Sequence, residues 1–280
     1  MDAFLKNFFR GLGRIFPDCL TLSQAIAFNM FLAFFPMLLL VLGILSSQSA
    51  FHNALREVPE RLRMIVPSGS EDLITQYFVR KGQHPWKWFL LGLGGTLLAG
   101  SQVMVGFMEA FRVIEADEIR PTYLRGHLRA LLLLVLTLVP AFVVVILTVF
   151  GKQARSALIH SFGVPLLFNA LAFAFQAAVV FVLSMVVLVL LYRVGRPAHH
   201  GWLRLLPGAV VATIMWWTVD IVFGFYVRKM PYDVVYGGLA AAIGLLIWMY
   251  LTALVVLLGA AFNAEWSETL AERKDGLSLS

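Results

Sequence analysis

Apolar residues gather along this chain into six blocks, at residues 22–45, 86–108, 130–150, 165–192, 205–227 and 234–262. A helix needs about 20 apolar residues to cross a hydrocarbon core about 30 Å thick, and every block is long enough. In lipid the backbone must satisfy its own N–H and C=O groups, so blocks of this kind form helices. The pattern predicts an all-α integral membrane protein with six transmembrane helices, organised as a single polytopic membrane domain over residues 1–280.

The stretch after the first block has a different character. Phe51, Leu55, Val58, Leu62 and Ile65 recur at helical spacing, with Arg56, Glu57, Glu60, Arg61 and Arg63 between them. Pro59 suits the first turn of a restarted helix, and Ser70 is a candidate cap for a second one carrying Leu73, Ile74, Tyr77 and Phe78. These pieces are too short and too charged to cross, so residues 51–80 are assigned as short interfacial amphipathic helices. Trp86 and Trp88 stand where interfacial anchors belong. Residues 109–129 read as a charged loop, Lys152 and Arg155 mark a short loop, 228–233 form a tight turn, and the polar tail after Glu265 is frayed. The apolar run after Lys6, Arg10 and Arg14 is too long for a cleavable signal and reads as the first membrane helix.

Composition narrows the class. A hydrophobic content of 60%, a charged content of 14% and a mean hydropathy of +0.83 exclude an ordinary soluble domain. The net charge of +6 raises nucleic-acid binding as a possibility. The basic residues, however, are scattered between apolar blocks rather than gathered in one stripe, and cationic loops of a membrane protein account for them. Six crossings put both termini on one side. With the N-terminus inside, the cytoplasmic segments hold Lys6, Arg10, Arg14, Arg112, Arg120, Arg125, Arg129, Arg193, Arg196, Arg204, Arg273 and Lys274. The short outer loops hold only Lys152, Arg155, Arg228 and Lys229, and the six basic residues of the long 51–87 segment count less for orientation, so the positive-inside rule favours both termini in the cytoplasm. Cys19 is the one cysteine, which excludes an intramolecular disulfide.

Candidate chemistry is sparse. Gly95 with Ala99, Gly238 with Ala242 and Ala240 with Gly244 have the four-residue spacing that lets helix backbones approach in lipid, either for packing or to line a groove. Pro36 and Pro140 each remove a mid-span hydrogen bond, marking either a kink beside a cavity or a tolerated bend. Asp220 is an ionisable group inside a block, at a cost of about 2.5–3.5 kcal/mol near the bilayer centre. It is either functional or a partner for a snorkelling Arg228 two turns on. Asn29, Gln102, Gln176 and Asn263 suit interhelical hydrogen bonding. His199 and His200 are adjacent and share no helix face. Glu115, Asp117 and Glu118 alternate with Arg112 and Arg120, which reads as a solvated, self-neutralising loop rather than a magnesium site. No Gly-rich phosphate loop, GxSxG or HExxH occurs. The sequence predicts no catalytic residues, no metal, no cofactor and no enzyme.

The segments AIAFNMFLAFFPMLLL (25–40), FRVIEADEIRP (111–121), LPGAVVATIMW (206–216) and YGGLAAAIGLLIWMYLTALVVLLGAAFNAEW (236–266) together resemble the YihY/BrkB family of bacterial inner-membrane proteins. The resemblance covers nearly the whole chain. It implies six transmembrane helices, an inner-membrane location and a mistaken historical label as ribonuclease BN. Phe28, Ala33, Phe111 and Ala261 depart from the family's polar pattern. Pro36, Arg120, Pro121, Pro207, Gly208, Tyr236, Gly237, Asn263 and Glu265 are retained. Two functions stay open: transport or lipid handling through an intramembrane cavity or groove, with membrane lipids as partners, or a non-transporting scaffold docking an envelope protein through 51–80. Nucleic acid is not an expected partner, and the oligomeric state is not encoded legibly.

Overall fold

The computed structural model describes residues 2–46, 85–116, 123–162, 166–196, 201–229 and 238–278. Among these residues lie six helices: α1 Asp2–Ser46, α2 Pro85–Ile114, α3 Tyr123–Phe162, α4 Leu166–Gly195, α5 Trp202–Lys229 and α6 Gly238–Ser278. Each contains one segment long and apolar enough to cross a membrane: Ile15–Leu40, Phe89–Ile114, Leu124–Val144, Phe173–Gly195, Trp202–Val227 and Leu239–Ser267. The interfacial helices expected over residues 51–80 lie outside the described residues.

Several helices outrun the apolar blocks. α2 continues through residues 109–114 and α3 begins at Tyr123, so both ends of the expected 109–129 loop are helical. Lys152 and Arg155, expected in a loop, fall within α3, and α6 runs to Ser278 where fraying was expected. Hydropathy marks where a helix leaves hydrocarbon. Backbone hydrogen bonding need not stop there, because water or protein can take over around the side chains.

The exposed side chains are what lipid requires. On α3, Leu128, Leu132, Val135, Val139 and Phe142 are exposed, while Ala130, Leu133, Leu134 and Thr137 are buried. The two sets alternate at helical spacing, so one face meets lipid and the other meets protein. The buried Thr137 hydroxyl donates to the Leu133 carbonyl four residues back, which satisfies it within its own helix.

Contacts divide the chain into two compact units: Met1–Leu22, Phe107–Thr218 and Leu254–Ser280 in one, Ser23–Gly106 and Val219–Ala253 in the other. In the second unit α1 and α2 run antiparallel through a seam of small residues. A Cβ added to Gly92 would meet the Leu40 backbone, 2.5 Å from its nitrogen. One added to Gly95 would lie 2.7 Å from Pro36 Cβ, and one added to Gly106 would lie 3.2 Å from Ile26 Cγ1. Gly95 therefore makes room for Pro36, whose ring leaves the Leu32 carbonyl without its helical donor. Among the sequence-selected small residues, Gly244 has nothing within 4 Å of such a Cβ. Gly92 and Gly106, which were not selected, bear on the seam.

Candidate functional site

The first unit is organised around a polar clasp joining α4, α5 and α6. Pro207, one turn into α5, has no N–H, and the next residue donates its N–H to α6. Gly208 N–H donates to Asn263 Oδ1 at 2.8 Å, and Asn263 Nδ2 donates to the Leu205 carbonyl at 3.0 Å. Asn263 is fully buried, so both ends of its amide are spent on the backbone of a neighbouring helix. Gly208 permits this approach: a Cβ there would overlap the Gly259 carbonyl and lie 2.5 Å from Asn263 Cγ. One turn earlier on α6, Gly259 receives Ala212, whose Cβ would stand 2.6 Å from an added Cβ. The Tyr192 hydroxyl of α4 donates to the Val256 carbonyl of α6 at 2.8 Å. Tyr192 also meets Phe111 of α2 edge to face, and Gly195 leaves space for the Phe111 ring.

At one end of this unit a cavity of about 330 Å³ is lined by Arg129 and Leu136 of α3, Leu190, Arg193 and Val194 of α4, Arg196 just beyond it, and Trp202 of α5. Arg193 stacks over the Trp202 ring, 5.7 Å from its centroid. Arg196 is buried, and its Nε donates to Glu115 Oε1 as an ion pair. That departs from the expected self-neutralising loop at Glu115 and Arg112, while Asp117, Glu118 and Arg120 lie outside the described residues. Arg112 pairs instead with Glu109 at 2.6 Å, and Glu115 reaches 81 residues along the chain. The geometry follows from how α2 ends: Ala116 adopts a left-handed φ of 51°, and its N–H bonds back to the Val113 carbonyl.

The other sequence candidates are dispersed. Asn29 is half-buried on α1, and Gln102 is exposed on α2. Pro140 lies inside α3. A few turns on, the Leu147 carbonyl accepts from Gln176 Nε2 of α4 at 2.7 Å, an interhelical bond of the kind expected for Gln176. Asp220 is exposed and accepts from Trp248 Nε1 of α6 at 2.9 Å, while a pairing with Arg228 lies outside the described side chains. Glu265 is half-buried on α6, and Gly238 begins that helix. Arg120, Pro121, Tyr236 and Gly237 lie outside the described residues. Of the candidates, the structure brings together Pro207, Gly208 and Asn263. Sequence reasoning did not join Gly259, Tyr192, Glu115 and Arg196 to them. The glycine sits four residues before Asn263, a small–polar spacing that was open to reading.

Six apolar helices with lipid-compatible outer faces and a buried polar clasp define a polytopic α-helical membrane protein. The profile of the family described as Virulence factor BrkB matches residues 16–278, and the chain belongs to that family. It is 28% identical to a UPF0761 membrane protein of Xanthomonas campestris pv. campestris over 278 residues, covering 95% of this chain and 62% of that one. A UPF0761 membrane protein of Tolumonas auensis is 38% identical over 103 residues, 35% of this chain and 34% of its own. YfkH of Bacillus subtilis, whose name describes it as ribonuclease-like, is 26% identical over 174 residues, 62% of this chain and 63% of its own. The chain thus spans less than two thirds of the length of these relatives. No solved structure matches it.

Proposed function

We propose that this protein handles lipid in the bacterial inner membrane, with both termini in the cytoplasm and no enzymatic step. The observation that carries the reading is the cavity bounded by α3, α4 and Trp202. Its volume of about 330 Å³ is at the lower end of ligand pockets, about 300–1,000 Å³. Its lining mixes apolar side chains with guanidinium groups, as an amphiphile demands. Arginines at the ends of membrane helices can snorkel to the interface at little cost, but three of them gathered on one cavity suit an anionic headgroup. The absence of recognisable hydrolase motifs from the sequence supports a non-enzymatic role, and the ribonuclease-like name of the Bacillus relative stays with that relative.

The test is lipid movement between leaflets in vesicles reconstituted with the full chain, read with headgroup-labelled anionic phospholipids and lipid-linked sugars. Faster exchange than in protein-free vesicles is expected. A folded protein that accelerates none of them refutes the reading.

A further inference from the structure

Three arginines converge on one cavity whose polarity changes with depth. α3 enters its apolar run at Leu124, α4 leaves its run at Gly195 and α5 enters its run at Trp202, so all three lining elements present the same end. Within the cavity Arg193, Val194, Arg196 and Trp202 stand at that end, Arg129 and Leu190 lie between one and two turns in, and Leu136 lies deepest. Arg129 and Leu136 are seven residues apart, two turns of one face, which is about 10 Å of helix. The lining therefore sets guanidinium groups beside apolar side chains near that end, with Leu136 alone beneath them, over about the length of a headgroup.

Charge identifies what enters. Arg196 is compensated by Glu115 through Nε, and among the described residues no partner is recorded for its four Nη donors. Arg129 and Arg193 have no acidic partner among the described residues. Among the described residues the cavity thus carries two guanidinium groups without an acidic partner, Arg129 and Arg193, and a third, Arg196, held in place by Glu115. Planar guanidinium forks match phosphate oxygens, and basic pockets between transmembrane helices suit anionic headgroups. Arg193 is additionally held over the Trp202 ring, an aromatic of the kind that anchors at the headgroup level.

We propose that this cavity binds an anionic phosphoryl group, presented as the headgroup of a phospholipid, with Arg129 and Arg193 as the binding pair, Arg196 as a third donor and Glu115 as its positioning residue. The proposal rests on the lipid-handling reading and names the chemistry that reading requires.

The test uses the full-length protein in detergent, with native mass spectrometry reading the binding of phosphatidylglycerol against phosphatidylcholine of the same chains. Inorganic phosphate serves as competitor. Preferential retention of phosphatidylglycerol is expected, weakened about thirtyfold in the double variant R129Q/R193Q, at about fivefold per arginine. R129K/R193K keeps the charges and should restore most of the affinity. R204Q removes an exposed arginine outside the lining and should change little. Displacement of lipid by millimolar phosphate at equal strength supports the phosphoryl site but assigns it to a soluble phosphate. Equal retention of both lipids without competition by phosphate overturns the proposal. So does a loss in R204Q as large as in R129Q/R193Q. Binding without lipid movement in vesicles refutes the lipid-handling reading and leaves the site standing. Movement that persists in R129Q/R193Q without binding refutes the site alone.

Discussion

The backbone N–H of Gly208 donates to Asn263 Oδ1 across 55 residues of chain, 2.8 Å away. The same asparagine returns a hydrogen bond to Leu205 of α5, three residues earlier. A carboxamide that donates and accepts at once fits this pair of backbone groups, whereas a leucine of similar size can do neither.

Asn263→Leu should strand the Gly208 N–H in an apolar environment, at a cost of about 1–3 kcal/mol. Helicity should be retained while the denaturation midpoint in detergent falls. An unchanged midpoint would mean that the clasp adds nothing to stability.

Two glycines of one helix should respond in opposite directions. Gly259→Ala places a Cβ 2.6 Å from Ala212 Cβ and 2.8 Å from the Gly208 carbonyl, so α5 and α6 must part, costing about 1–3 kcal/mol. Gly244→Ala meets nothing within 4 Å and should gain about 0.5–1 kcal/mol from helix propensity. Thermal melts of the two variants in the same detergent compare them directly, and equal shifts would contradict the packing of α6 described above.

Glu115 and Arg196 should behave as a coupled pair. Arg196→Met leaves a buried carboxylate unpaired and should cost about 3–5 kcal/mol, while Glu115→Leu combined with it should recover much of that loss. A double-mutant cycle on the unfolding midpoint measures the coupling. Additive losses would show that the pair is not formed in the folded protein.

The six spans were legible because a bilayer imposes a minimum apolar length, and each block meets it. Their ends were not, since helical hydrogen bonding continues past the last apolar residue, as at Tyr123 and Ser278. Asn263 stood out as an amide in an apolar run, and the family resemblance already pointed to it with Pro207 and Gly208. Gly259 did not stand out. α6 carries many small residues, and the four-residue spacing that selected Gly238, Ala240, Ala242 and Gly244 is equally met by Gly259 with Asn263. Only the position of Tyr192, Gly208 and Ala212 on other helices decides which small residue bears a contact. Glu115 was misread for a related reason: nearby arginines suggested local neutralisation, and nothing in the local charge pattern points to a partner after α4.

That long-range ion pair also imposes an order on synthesis. Glu115 leaves the ribosome 81 residues before Arg196. At about 5–20 residues per second, α2 waits on the order of ten seconds with its terminal carboxylate unmatched, while α3 and α4 are made. The contact that fixes the end of α2 therefore cannot form until the fourth helix is made, and it is a late step in the assembly of the protein.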